Sequence, residues 1–213
     1  MNAGNKTIEK KSYKKIISDQ RFYLVIIIIS LVILASSLNK NFLSISNFLT
    51  VFQQISVLGV VTASFSLLLI AGGFDLSIGN IMSFQGSLMA YLAIQKEINI
   101  WLTLIIVIIV GVLAGALNGM IISLTKTPPL IITLGTSYVF SGLSLFVSKG
   151  RFMSMGGKLD AIGRLKLFGI PVSIFIMLLF MFIAYLILNK FRYGRRIVSL
   201  GGNEENAFLS GIN

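Results

Sequence analysis

Asp75 is the one acid within the apolar body of this 213-residue chain, in the string Ala71-Gly-Gly-Phe-Asp-Leu-Ser-Ile-Gly79. A carboxylate at the middle of a bilayer costs about 2.5–3.5 kcal/mol on insertion scales, so it must be capped, paired or wet. Two readings fit. In one, Asp75 or Ser77 caps the start of an apolar helix and Gly72-Gly73 supply the turn that ends the helix before it. In the other, the string interrupts a membrane helix and turns Asp75, Ser77 and freed backbone groups toward a translocation pathway. Covalent chemistry has little to work with. The chain has no Cys and no His, which removes thiolates, disulfides, imidazole bases and nearly all zinc sites. No catalytic residue and no metal ligand is therefore assigned. The phosphate loop Gly-x4-Gly-Lys-Ser/Thr is missing too, since Lys126-Thr127 lacks the preceding glycines. This chain is expected to bind no cofactor itself.

Further polar residues stand inside apolar stretches. Gln85, Asn118 and Thr133 could line a pathway and bond a passing hydroxyl group, as could Thr62, Ser64, Ser66, Thr136, Ser137, Tyr138 and Ser141. Equally, such side chains bond to their own helix backbone or across a helix interface. Gly111, Gly115 and Gly119, four residues apart, leave one helix face without bulk and suit close helix packing, with Asn118 beside them.

The polar stretch Tyr193 to Asn213 stands apart from the apolar sequence before it. Arg195 and Arg196, with Lys190 and Arg192, anchor the end of the last apolar run on the cytoplasmic side. Gly201-Gly202 are expected to turn the backbone sharply, and a short helix follows. Asn203 is its N-cap, Glu204 and Glu205 sit at its positive end, Phe208 and Leu209 offer an apolar contact, and Gly211 closes it after Ser210. The segment reads as a docking element, or else as an ordinary interfacial connector.

These residues need a membrane to hold them. With 55% hydrophobic and 12% charged residues and a mean hydropathy of +0.91, the chain has too much apolar surface for one soluble core. A span needs about 20 apolar residues. Six segments meet or approach this, at about 22–38, 55–71, 80–95, 101–123, 129–147 and 170–188, giving an all-α polytopic bundle. The third is the shortest and most polar. The first could pass for a signal peptide but exceeds the usual apolar core of one and is read as retained. Pro128-Pro129 and Pro171 mark helix starts, Tyr91 and Trp101 suit the headgroup level, and residues 41–54 read as an amphipathic segment along the outer surface. An N-terminus in the cytoplasm places eleven basic residues inside and seven outside, a modest margin that the basic loop 148–169 opposes. Three regions result: a basic cytoplasmic arm over 1–21, a transmembrane domain over 22–188 and a cytoplasmic segment over 189–213. The excess of 18 basic over 7 acidic residues sits beside apolar runs as topological anchors, so no nucleic-acid partner is expected.

Gly201-Gly202-Asn203-Glu204 and Leu209-Ser210-Gly211-Ile212-Asn213 resemble, in order and spacing, the coupling loop of sugar-type (ribose, xylose, galactose) ABC transporter permeases. Gly72-Gly73-Phe74-Asp75-Leu76-Ser77-Ile78-Gly79 is similar to that family's Gly-Gly-x-Asp-Leu-Ser-x-Gly signature. Gly115-Ala-Leu-Asn-Gly119 and Thr127 to Thr136 also match, with Leu130 where Phe is more usual. The resemblance covers roughly residues 40 to 213. It implies a bacterial cytoplasmic-membrane permease that takes up a monosaccharide by alternating access. It further implies a partner ABC ATPase carrying ATP and magnesium, a periplasmic or extracellular substrate-binding protein, and a second permease subunit, identical or homologous, within the lipid. Arg195, Gly201, Gly202, Asn203, Glu204, Glu205, Leu209, Ser210 and Gly211 would form the ATPase-coupling surface. Family permeases continue through further helices past this loop, so the chain is expected to be the N-terminal portion of one. The alternatives are a branched-chain amino-acid permease of the same superfamily, an independent ion-coupled carrier titrating Asp75, and a non-transporting scaffold.

Overall fold

The computed structural model describes residues 20–159, 163 and 165–212. Nearly all of the basic arm, together with Asp160, Arg164 and Asn213, lies outside the described residues. The helices are α1 (Gln20–Leu38), α2 (Ile45–Ile70), α3 (Ile78–Ala90), α4 (Ile100–Thr125), α5 (Pro129–Ser148), α6 (Val172–Asn189), α7 (Arg192–Gly202) and α8 (Glu204–Leu209). A π-helical turn, Tyr91–Gln95, continues α3. Before α6, β1 (Lys166–Leu167) and β2 (Ile170–Pro171) pair antiparallel, Lys166 opposite Pro171 and Leu167 opposite Ile170. The chain is an all-α, multi-pass membrane protein.

Among the described residues five helices, α1, α2, α4, α5 and α6, are long and apolar enough to cross a membrane. The span expected at 80–95 is a composite of α3 and the π-helical turn. Together they run from Ile78 to Gln95, roughly 27 Å at 1.5 Å per residue, close to the hydrocarbon thickness. One expected boundary is corrected. Residues 45–54 are not a separate surface segment but the first turns of α2, which starts at Ile45 rather than near residue 55. Local bonding lets its polar residues join the helix: Ser44 Oγ accepts from the Asn47 N–H at 3.2 Å, Asn47 Nδ2 donates to the Phe42 carbonyl at 2.7 Å, and Thr50 Oγ1 donates to the Ser46 carbonyl at 2.9 Å.

The chain forms two compact units, residues 1–52 and 53–213. In the first, α1 buries none of its residues, as befits a helix whose apolar side chains are solvated by lipid. In the second, α3 packs most extensively on α5 and next on α4. Lipid offers helices no hydrophobic reason to associate, so polar side chains and close packing carry the interface. Asn80 Nδ2 donates to Ser137 Oγ at 2.6 Å. Ser144 Oγ lies 3.2 Å from Ser83 Oγ and 2.9 Å from Ser87 Oγ. The Phe84 and Phe140 rings meet at a tilt of 46°, centroids 5.6 Å apart. The Asn80, Ser83 and Ser87 side chains of the third span thus face α5.

The composite helix meets a different connection at each end. Its beginning follows the turn against which α7 ends, because Gly201 meets Ile70 and Ala71. Its other end receives the α5–α6 connection, where Lys158 Nζ donates to the Ala93 carbonyl at 2.7 Å. Lys126 and Lys149 close α4 and α5 in the left-handed conformation, at φ 51° and 53°, and place cations at the negative helix ends.

Candidate functional site

The Gly-Gly-Phe-Asp-Leu-Ser string forms the turn between α2 and α3. Gly72, at φ +81°, takes a backbone conformation that a side chain would strain. The Gly73 N–H donates to the Leu68 carbonyl at 2.9 Å and the Gly72 N–H to the Leu69 carbonyl at 3.0 Å, which satisfies the last carbonyls of α2. Asp75 Oδ1 then accepts from the Ser77 N–H at 2.6 Å and from the Ser77 hydroxyl at 2.5 Å. Ser77 occupies the N-cap position of α3 but makes no side-chain bond to that helix. Capping is thus relayed through Asp75, an acid near a positive helix end.

Ser77 is fully buried, and Asn118 on α4 is 3% exposed. The single Ser77 hydroxyl proton is committed to Asp75, so Asn118 must be the donor in the 2.8 Å contact between Asn118 Nδ2 and Ser77 Oγ. Asn118 Oδ1 is left buried without a hydrogen-bond partner among the described residues. The result is a polar chain from Asp75 through Ser77 to Asn118 that ties the start of α3 to α4.

Asp75 also borders a cavity of about 520 Å³ between α2, α3, α4 and α6, whose lining includes Ser64, Gln85, Gly111, Gly115 and Phe180. Gln85 Nε2 donates to the Val107 carbonyl at 2.9 Å, and Gly111 makes room for it, since a Cβ there would overlap that amide nitrogen. Of the residues expected to face a pathway, Asp75 and Gln85 reach this cavity. Ser77, Asn118 and Thr133 do not line it. Thr133 is 1% exposed and bonds weakly to the Leu130 carbonyl of its own helix at 3.5 Å. The glycine stripe also divides. Gly111 accommodates a side chain, whereas Cβ atoms added at Gly115 and Gly119 would meet nothing within 4 Å among the described residues, so neither supports a close helix contact there.

The polar C-terminal stretch contains one more helix than expected. Gly201 and Gly202 are the last residues of α7, and neither takes a positive φ. The turn falls at Asn203, which is extended at φ −165°. Gly201 answers to proximity rather than to turning, because a Cβ there would overlap the Ile70 carbonyl oxygen. Gly194, seven residues earlier and on the same face, lies against the Ile187 and Leu188 carbonyls. Arg192, Arg195 and Arg196 occupy the opposite face, at helical spacing.

In α8, Asn203 Oδ1 accepts from the Asn206 N–H at 2.8 Å, and Glu204 and Glu205 fill the first turn. Gly211, at φ +77°, ends the helix, with the Ile212 N–H donating to the Ala207 carbonyl at 3.0 Å. Ala207 is buried, while Phe208 and Leu209 are 67% and 76% exposed. Asn203→Ala should cost α8 about 1 kcal/mol. Hydrogen exchange at residues 204–209 is expected to quicken roughly five-fold, the rate equivalent of that loss.

A composite helix braced by hydroxyl and amide contacts, an open cavity bordered by Asp75, and a helix pair beyond the spans are the features of a multi-pass membrane protein. The chain belongs to the family described as the branched-chain amino acid transport system / permease component, which it matches over residues 45–213. It is 32% identical to the ribose import permease protein of Haemophilus influenzae, over 92% of this chain and 61% of that one. It is 35% identical to the ribose import permease protein of Bacillus subtilis (85% and 57% covered) and 32% identical to the D-allose transport system permease protein of Escherichia coli K12 (90% and 58% covered). The chain thus spans about three fifths of the length of these relatives. No solved structure matches it.

Proposed function

We propose that this chain belongs to the membrane permease of a binding-protein-dependent ABC importer that carries a ribose-like monosaccharide into the bacterial cytoplasm. The similarity to ribose and allose permeases is the observation that carries the reading. The cavity supports it chemically. A few polar groups, Asp75, Gln85 and Ser64, stand among apolar walls, the arrangement that orients a small hydroxylated solute without holding it tightly. Phe180 offers a ring to the apolar face of a sugar.

In this reading the N-terminus is cytoplasmic, and α7 and α8 meet the ATPase subunit, which holds ATP and magnesium. Arg195, Asn203, Glu204, Glu205, Leu209 and Ser210 are all exposed and form the docking face. A binding protein delivers the sugar at the opposite side, and a second permease subunit completes the pathway. ATPase closure pushes α7 and α8, and the connected helices switch access between the two sides.

The test is uptake by vesicles containing the permease that carries this chain, its ATPase and its binding protein. ATP-dependent accumulation of labelled ribose or a close relative is expected. The double change Glu204→Lys, Glu205→Lys should reduce both ATPase co-purification and uptake at least ten-fold. Uptake of leucine without any response to sugars would overturn the sugar assignment, and uptake driven by an ion gradient without ATPase would overturn the importer assignment.

A further inference from the structure

Gly201 of α7 lies against the backbone of the turn that follows α2. A Cβ at Gly201 would overlap the Ile70 carbonyl oxygen and stand 2.8 Å from the Ile70 carbonyl carbon and 3.1 Å from that of Ala71. A Cβ at Gly72 would lie 3.5 Å from Gly201 Cα. Backbone therefore meets backbone, with no side chain between to rotate aside. Backbone cannot rotate aside as a side chain can, so a push at this contact is passed on rather than absorbed. Beyond the contact, the same turn carries Asp75, which borders the cavity and holds Ser77, which in turn holds Asn118 on α4. Phe74 rests edge-on against Phe65 of α2, ring centroids 5.7 Å apart, and fixes the other side of the turn.

We propose that the contact between Gly201 and the Ile70–Gly72 turn is the relay through which movement of α7 and α8 reaches Asp75 and the cavity. Gly201 is then a positioning residue. A methyl group at this position forces α7 away from the turn and separates ATPase movement from change in the cavity, while the exposed docking residues stay intact. Gly142, in α5, supplies the contrast, because a Cβ there meets nothing within 4 Å among the described residues. The relay rests on the importer reading above.

The chain has no cysteine, so Ser64→Cys, at the cavity lining, serves as a single reporter. Its alkylation rate is measured in the assembled permease and ATPase complex, with and without ATP. The expected result is a nucleotide-dependent rate change of at least five-fold in the reporter chain and in the Gly142→Ala variant. In Gly201→Ala the change should fall below two-fold while the ATPase still co-purifies. An undiminished nucleotide response in Gly201→Ala would overturn the relay and leave the importer reading standing. A reporter chain that neither binds the ATPase nor responds to nucleotide would overturn the importer reading, and the relay with it. Should Gly201→Ala fail to reach the membrane, hydrogen exchange on the unaltered complex decides. Residues 72–77 and 204–209 are expected to change together, by about ten-fold, when the ATPase binds. Protection confined to 204–209 would overturn the relay.

Discussion

Asp75→Ala is expected to destabilise the bundle by about 2–4 kcal/mol, whereas Asp75→Asn stays within about 1 kcal/mol of the unaltered protein. One carboxylate oxygen holds both the Ser77 N–H and the Ser77 hydroxyl, and Ser77 is fully buried. Removing that oxygen leaves two donors without an acceptor, each costing roughly 1–3 kcal/mol. It also frees the hydroxyl that Asn118 uses as its acceptor. Asparagine keeps an oxygen in the same place and loses only the charge. Denaturation of the purified protein in detergent micelles measures both changes. The pair also separates the two roles read from the sequence, since a stable Asp75→Asn protein that no longer transports would show that the charge serves the pathway as well as the cap. Equal stability of the alanine and asparagine variants would contradict the capping geometry.

The second large effect comes from glycines that differ in what surrounds them. At Gly194 an added Cβ would overlap the Ile187 and Leu188 carbonyls, and Leu188 Cα would be 2.6 Å away. At Gly59 it would overlap the Met177 sulfur and stand 2.6 Å from Met177 Cγ. The two overlaps are similar in size, but a thioether side chain has rotamers to retreat into and a backbone carbonyl has none. Gly194→Ala should therefore cost at or above the upper end of the roughly 1–3 kcal/mol typical of overpacking, and Gly59→Ala less than about 1 kcal/mol. Proteolysis between α6 and α7 is expected to accelerate in the first variant alone.

Much of the architecture was readable because membrane helices announce themselves by length and hydropathy, and the ends of α4, α5 and α6 fall within about two residues of those expected. The misreadings have definite physical causes. The start of α2 carries Ser46, Asn47 and Thr50, which resemble a surface segment until their local bonds are seen, and Gln53, whose amide donates to the Gly163 carbonyl at 3.0 Å. In α7, three glycines and three arginines look like a loop, since each internal glycine costs a helix about 1 kcal/mol. Docking of Gly194 and Gly201 against neighbouring backbone explains why two of those glycines stand there.

At the site, local relations were visible and distant ones were not. Asp75 and Ser77 are two residues apart, and their bond follows from turn chemistry. The bond from Asn118 joins residues 41 apart in the chain, and no periodicity in the sequence indicates it. The same holds for Ser83 and Ser87 with Ser144. Gly111, Gly115 and Gly119 share one spacing, yet among the described residues only at Gly111 would an added Cβ meet a neighbour within 4 Å, the Gln85 amide, because spacing identifies a face without identifying what it meets.

The central claim, that α7 and α8 present a docking face to an ATPase at the cytoplasmic surface, is tested most directly by a single cysteine at Phe208, placed in the cysteine-free chain. Phe208 is 67% exposed and lies outside the spans. A membrane-impermeant maleimide should label Phe208→Cys in inside-out vesicles and not in right-side-out ones, and bound ATPase subunit should suppress the labelling at least five-fold. Labelling from the outer face, or labelling from the inner face that the ATPase leaves unchanged, would contradict the account.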